Sequence, residues 1–178
     1  MSVIEFIETL VRNCDTNRLD GIDGTPIFDE PIVGLADGDD YLFTEYKRII
    51  GDFHFTPREI LKKHSPEWNE KNDSCSVICW VLPIAEETRK SNAIQSRYPS
   101  ERWAHTKLYG EIFNEQLRRA VVEYLLNQGN LAVAPVLSPF FKTRYTGKAG
   151  IASSWSERHV LFAAGACMHV NEREKVKF

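Results

Sequence analysis

The sequence predicts an α/β domain in which buried strands are covered by helices. Its 178 residues are enough for one hydrophobic core, and 43% of them are apolar, as is ordinary for a globular protein. The run Ser74–Leu82 is apolar without alternation, which is typical of a strand covered on both faces. Ser100–Asn127 carries a sustained apolar stripe at helical spacing. We therefore expect one domain over residues 1–165, followed by a charged segment of a different kind over residues 166–178.

The first part of the chain predicts three helices and one short strand. Apolar residues three and four apart indicate a helix at the start, and the same spacing predicts a helix over Tyr41–Ile50. Between these helices, Ile32–Leu35 predicts a short strand. The segment Thr56–Glu59 has the pattern of a capping box with proline in the first turn. A helix should therefore begin there and run to about His64.

The middle of the chain predicts two strands and two helices. Pro83 should end the first buried strand, and a short helix is expected over Glu86–Ser91. Ser100 is a suitable cap for the long helix, and Gly129 is suited to its end. Leu131–Val136 then predicts a second buried strand.

The last part of the chain predicts one loop and one helix. Ser138–Gly150 is rich in aromatic and basic residues and is expected to form a loop. Ser154 and Glu157 have the spacing of a capping box, which predicts a final helix over Trp155–Ala164.

Composition excludes several classes of protein. The net charge of −3 gives no strong field toward nucleic acid or an anionic membrane. No apolar stretch approaches the length of a membrane span. Glu5 and Glu8 interrupt the apolar rhythm of the first residues, which is unlike a signal peptide. We therefore expect a soluble protein of the cytoplasm.

The cysteine pattern excludes an iron–sulfur cluster held by this chain alone. The four cysteines are Cys14, Cys75, Cys79 and Cys167. Side chains four residues apart on a strand are roughly 13 Å from each other, too far for one metal ion or one disulfide. A ferredoxin site needs cysteines in a run with short spacers, which this chain lacks. Reduced thiols agree with the expected cytoplasmic location.

Three segments together resemble a known family. They are Ser76–Pro83, the residues Ser96–Pro99 before the long helix, and Ser153–Gly165 with its Trp-Ser-Glu-Arg-His sequence. Over roughly residues 30–165 the chain resembles the amino-terminal, cobalamin-binding domain of epoxyqueuosine reductase and related ferredoxin-like proteins. The reductive dehalogenases are more distant relatives of the same kind.

The resemblance implies a fold, a cofactor and partners. It implies a nitroreductase-like fold, with a mixed central sheet flanked by helices, that cradles cobalamin. In the family a carboxyl-terminal ferredoxin domain feeds electrons to cobalt, and the queuosine enzyme reduces an epoxide on a modified tRNA base. Because this chain has no such half, the resemblance implies a ferredoxin-type electron donor as a separate partner. It also makes tRNA a candidate partner.

The sequence departs from the family in two places. After Gly165 the family continues through a glycine-rich turn into its ferredoxin half, whereas here a charged tail follows. We interpret this tail as a truncated or frameshifted end. The queuosine enzymes also carry an Asp shortly before their Glu-Arg pair, which looks like the proton donor. Residues 151–154 contain no Asp, which places the epoxide chemistry in doubt.

Candidate cofactor-binding residues come from two segments and from two histidines. The first turn of the last helix can bind polar groups, an Arg-Tyr loop can pair with a phosphate or stack, and histidines can act as acid or base. The candidates are Arg97, Tyr98, His105, Ser153, Ser154, Trp155, Ser156, Arg158 and His159. No pair of histidines has the spacing of a zinc site, so no metal ligand is predicted.

Each candidate also has a structural explanation. Trp155 can pack in the core behind a simple helix cap, with Arg158 on the surface. Tyr98 can pack in a solvated loop, and the aromatic residues of Ser138–Gly150 can anchor that loop. Two other functions also fit the sequence, namely a flavin enzyme of the nitroreductase type and a non-catalytic remnant or interaction module.

Overall fold

The computed structural model describes residues 1–68, 73–147 and 150–166. The chain forms two compact units, each assembled from two separated stretches. The first unit comprises Met1–Ile32 and Val81–Asn130, and the second comprises Val33–Trp80 and Leu131–Phe178. Helices and strands are both present, so the predicted α/β class is confirmed.

The first unit is built on helices. Helix α1 spans Val3–Asn13, helix α4 spans Glu86–Ala93, and helix α5 spans Glu101–Asn127. Both shorter helices pack against α5. Ser2 and Glu5 form a capping box that begins α1, and Ser100 caps α5 by accepting a hydrogen bond from the backbone N–H of Trp103.

The core of this unit is apolar and includes the loop after α1. Phe6 stacks on Tyr124 with ring centroids 4.3 Å apart, which joins α1 to α5. The largest fully buried apolar side chains in this unit are Ile7, Val11, Leu19, Ile27, Phe113 and Leu117.

The second unit combines helices with short strands. Strand β1 spans Ile32–Asp37, helix α2 spans Tyr41–Ile50, helix α3 spans Pro57–His64, and strand β2 spans Ser76–Val81. After a 3-10 turn at Pro135–Leu137 follow strand β3 over Thr143–Thr146, strand β4 over Gly150–Ser153, and helix α6 over Glu157–Ala163.

The strands form two small sheets. β1 pairs with β2, and β3 pairs with β4 in antiparallel register, Tyr145 opposite Ile151. Gly38, after β1, passes so close to Cys75 that an added Cβ would lie 2.8 Å from the Cys75 Cβ, so a larger residue would force the backbones apart. A larger mixed sheet is not formed by the described residues.

The core of the second unit surrounds α2 and α6. Its buried members are Phe43, Tyr46, Ile50, Ile60, Val77, Trp155 and Val160. The bounds of α2 that periodicity predicts are confirmed, and so is the α3 helix predicted from the capping box of Thr56 and Glu59.

Three predictions about the strands need correction. Leu131–Val136 is not a strand, because Pro135 lacks the N–H that a ladder needs and instead begins a 3-10 turn. The expected loop Ser138–Gly150 contains β3, whose backbone pairs with β4. Strand β2 is covered only in part, since Ser76 is exposed and Val77 alone is buried. With no strand at 131–136, β2 has β1 as its one neighbour in the described sheets.

The predicted charged tail lies outside the described residues apart from Ala166, which is buried. None of the helices that the structure describes is long and apolar enough to cross a bilayer.

Candidate functional site

The strongest candidate site is the turn that joins β4 to α6 in the second unit. We call residues Ser153–Ser156 the Trp155 turn. The Trp155 side chain is buried and packs with the core around α2. Ser153 donates its hydroxyl hydrogen to the carbonyl of Trp155 at 2.6 Å, which holds the turn closed.

Ser154 ties the turn to two other segments of the same unit. Its N–H donates to the carbonyl of Lys142 at 2.8 Å, and its hydroxyl accepts from the N–H of Lys142 at 2.9 Å. The N–H of Phe55 donates to the Ser154 carbonyl at 2.8 Å. The buried hydroxyl of Ser154 is therefore committed to a loop and is not a helix cap.

The predicted start of the last helix is wrong by two residues. Helix α6 begins at Glu157 rather than Trp155, and Ser156 occupies the cap position. No side-chain hydrogen bond caps the helix, so the predicted capping box of Ser154 and Glu157 does not form. The capping box does not form because the Ser154 hydroxyl accepts a hydrogen bond from the backbone N–H of Lys142 and the Trp155 ring packs in the core.

Ser156 lies between two histidines. Its backbone N–H donates to Nε2 of His54 at 3.1 Å, and its hydroxyl is 2.7 Å from Nδ1 of His159. The His54 ring is parallel to the Trp155 ring, with centroids 6.3 Å apart. Ser156 is thus held by a hydrogen bond of its backbone N–H and by a second hydrogen bond of its hydroxyl.

Tyr46 supports both histidines from α2. Its ring meets the ring of His159 edge-on at 4.8 Å and the ring of His54 edge-on at 6.2 Å. Its hydroxyl donates to the carbonyl of His159 at 2.8 Å. This contact orients the first turn of α6 against α2.

Burial keeps both histidines neutral at pH 7. Burial is the main cause, followed by the proximity of His159 and Lys47, and together these lower the pKa of His54 from 6.5 to about 4. Burial also lowers the pKa of His159. A backbone N–H can only donate, so Nε2 of His54 is unprotonated and its proton is on Nδ1. That Nδ1 is buried and has no hydrogen-bond partner within the described part of the chain.

The two histidines differ in access to solvent. The His54 side chain is fully buried, whereas His159 and Ser156 are each half-buried. Arg158, the next residue along from Glu157, is exposed. Within this cluster, Ser156 and His159 are therefore the residues that keep part of their surface exposed to solvent.

The remaining predicted residues lie in the first unit. Arg97 and Tyr98 follow α4 in an exposed loop, where the guanidinium lies 5.3 Å from the centre of the Tyr98 ring. His105 is half-buried on α5, with its ring 5.6 Å from that of Tyr109 and its Nδ1 buried without a partner among described residues. The structure thus divides the candidates into two groups, one in each unit.

Two residues of the cluster, Tyr46 and His54, are not among the candidates that the sequence predicts. Tyr46 lies on helix α2, and His54 lies between α2 and α3. Because His54 contacts a residue 102 positions away, no local spacing in the sequence predicts the contact. Within the described residues, no group of three His, Cys, Asp or Glu side chains could hold a metal ion.

The comparisons with known proteins add no identification. No protein-family model, no curated protein and no solved structure matches the chain.

Proposed function

We propose that the chain is a cobalamin-binding domain related to the epoxyqueuosine reductases, which depends on a separate protein for its electrons. The observation that carries the proposal is Ser156, held between two neutral histidines beside the buried Trp155. Trp155, Ser156 and His159 lie in the segment that bears the most specific part of the sequence resemblance, Ser153–Gly165.

The donor set at the turn fits the periphery of cobalamin. The corrin ring carries neutral carboxamide side chains, which require neutral donors and acceptors rather than charged groups. Ser156 and His159 provide a hydroxyl and an imidazole that are uncharged at pH 7 and half-buried. These two side chains would hold amide groups of the cofactor, and the rigid turn would keep them in place.

Cobalamin, when bound, would supply a cobalt centre able to act as a strong nucleophile or reductant. Cobalt needs electrons to reach that state, and the cysteine spacing of the sequence provides no ferredoxin cluster. We therefore propose a ferredoxin-type electron donor as partner. A tRNA substrate would follow from the queuosine branch, but the missing Asp in residues 151–154 argues against its epoxide chemistry.

We also propose a nitroreductase-like arrangement of the helices and strands and a cytoplasmic location for the chain. Mixed helices and strands are compatible with that arrangement, but the described strands form two small sheets. The arrangement therefore depends on the sequence resemblance. The free thiols of Cys14, Cys75 and Cys79 agree with a reducing compartment.

Absorbance titration with cob(II)alamin tests the proposal. Binding that displaces the lower base from cobalt changes the visible spectrum, so we expect a saturable change with the whole chain. Ser156→Ala and His159→Gln should weaken it, whereas His64→Gln, an exposed histidine of the same unit, should not. Absence of any spectral change with the folded protein would reject the function. A parallel titration with flavin mononucleotide distinguishes a flavin protein.

A further inference from the structure

Helix α5 has a second apolar face, which the first unit leaves exposed. The side of α5 that faces the core carries Phe113, Leu117 and Val121, all of them buried. Leu108 and Ile112 lie on another side of the same helix and are 61% and 48% exposed. Because residues four apart are neighbours on a helix surface, these two side chains form one apolar patch. An apolar patch of this kind on a helix is suited to contact with a partner.

Polar residues continue this face of α5 on both sides of the apolar patch. The residues of the face repeat at alternating intervals of four and three, which is the spacing of a seam between two packed helices. We call this row the α5 seam, and its members are Glu101, His105, Leu108, Ile112, Glu115 and Arg119. Apart from His105, which is half-buried, all of them are exposed. The seam therefore has an apolar centre and charged ends.

The α5 seam is complementary to itself when two copies of the helix run in opposite directions. In a twofold antiparallel pair centred on Gly110, residues at equal distances before and after Gly110 face each other. Leu108 then faces Ile112 of the second copy. Glu101 faces Arg119 of the second copy, so opposite charges meet at both ends of the pair. Each of these contacts occurs twice because of the symmetry.

The charges of the seam favour the antiparallel direction over the parallel one. In a parallel pair in register, Glu101, Glu115 and Arg119 would each face their own counterparts, and like charges repel. In the antiparallel pair His105 faces Glu115 of the second copy, and a ring N–H can donate to a carboxylate. Arg119 pairs with Glu115 of its own helix at 2.6 Å, but its side chain is 66% exposed and a guanidinium has further donors.

We propose that the α5 seam is a self-association surface, on which a second copy of this chain docks as an antiparallel helix pair. The inference concerns the first unit and does not depend on the proposed function. A single helix pair covers less area than a permanent interface does. The dimer should therefore be weak, with a Kd on the order of 10 µM.

Sedimentation velocity of the whole chain over a range of concentrations tests the association. We expect monomer and dimer in exchange, and Leu108→Glu should raise the Kd by more than about tenfold because it places a charge at the apolar centre twice. Ile151→Glu is the matched control, since Ile151 is an exposed apolar residue outside the seam, and it should leave the Kd unchanged. A chain that stays monomeric throughout, or a dimer that Leu108→Glu does not weaken, would overturn the proposal.

Exchange of charges tests the antiparallel direction. Glu101→Lys places a lysine opposite Arg119 of the second copy, and Arg119→Glu places a glutamate opposite Glu101. Each variant alone should raise the Kd by about tenfold, since each creates two repulsive pairs. In a mixture of the two variants, the mixed dimer has opposite charges at both ends and should recover close to the natural Kd. Two weakened variants that do not recover on mixing would overturn the antiparallel pair, and circular dichroism confirms that both are folded.

A membrane surface is the other occupant that an exposed apolar helix face could take. Flotation with vesicles of phosphatidylcholine and phosphatidylglycerol distinguishes it from a second copy. We expect the chain to remain unbound. Vesicle binding that is lost in Leu108→Glu, in a chain that is monomeric in solution, would overturn the proposal in favour of a membrane.

Discussion

The two units begin a helix with the same tripeptide and use it differently. Ser100-Glu101-Arg102 begins α5 in the first unit, and Ser156-Glu157-Arg158 begins α6 in the second. The hydroxyl of Ser100 accepts from the N–H of Trp103 and caps the helix. The hydroxyl of Ser156 instead bonds the ring of His159. The residue three positions after the serine is Trp103 in α5 and His159 in α6. The serine caps the helix in the first case and belongs to the candidate site in the second.

The arginines of the two tripeptides differ in the same way. Arg102 pairs with Asp23 and donates to the hydroxyl of Thr25 at 2.7 Å, so it is used for packing within the first unit. Arg158 is exposed. The start of α5 is therefore bound into its unit through its side chains, whereas the start of α6 leaves polar groups accessible.

Substitution of the tryptophans near the two helix starts should change stability more than any other substitution considered below. Trp155 is buried in the core of its unit, whereas Trp103 is half-buried. We expect Trp155→Ala to lower the free energy of unfolding by about 3–5 kcal/mol. Trp103→Ala should cost no more than about 2 kcal/mol. Urea denaturation followed by far-ultraviolet circular dichroism measures both, and equal losses would contradict the difference in packing.

The second prediction concerns acid and the buried histidine. Because the pKa of His54 is about 4 in the folded state and near 6.5 when unfolded, the unfolded state binds the proton more readily. Stability is therefore complete above pH 6.5 and falls as the pH drops toward 4, by up to about 3 kcal/mol. Urea midpoints between these pH values measure the loss.

A pair of histidine variants assigns this pH dependence. His54→Gln should flatten the curve, leaving a smaller slope from His159, whose pKa is lowered in the same direction. His64→Gln removes an exposed histidine from the same unit and should leave the curve unchanged. A slope that persists in full without His54 would show that another group is responsible.

The third prediction compares the two serines directly. Ser100→Ala removes a helix cap and should cost about 1 kcal/mol. Ser156→Ala removes no cap and should cost less, about 0.5 kcal/mol for a partly exposed hydrogen bond. Thermal unfolding of the two variants measures the difference. A larger loss at Ser156 would mean that its hydroxyl has a mainly structural role.

The smallest expected effect concerns the two arginines. Arg102→Ala breaks an ion pair with a partly exposed Asp23 and should cost up to about 1 kcal/mol. Arg158→Ala changes an exposed side chain and should stay within about 0.5 kcal/mol of the natural protein. Parallel urea titrations test this order, and its reversal would indicate that Arg158 supports the Trp155 turn.

Helices were more predictable than strands because their signals are local. The capping box of Thr56 and Glu59 and the cap at Ser100 involve residues three apart, and both form as expected. A strand needs a partner elsewhere in the chain. Leu131–Val136 has the composition of a strand but contains Pro135 and forms none, whereas the polar β3 is a strand because β4 pairs with it.

The candidate site was predictable only in part for the same reason. The residues Ser153–His159 of the site form a motif that can be recognised in the sequence. Tyr46 and His54, the other residues of the site, belong to no such motif. Tyr46 bonds His159 from 113 residues away in the chain, and His54 bonds Ser156 from 102 residues away. No sequence spacing over such a distance specifies a hydrogen bond.

Composition and the spacing of residues a few positions apart are enough to predict the α/β class and most helices, and to show that no ferredoxin cysteine run is present. Which hydroxyl caps a helix and which one contacts a histidine depends instead on the folded arrangement of distant segments. Ser154 and Ser156 are chemically identical, and a loop at Lys142 and a ring at His159 give them different roles. A hydrogen bond forms with the partner that folding brings within reach, and local sequence does not specify that partner.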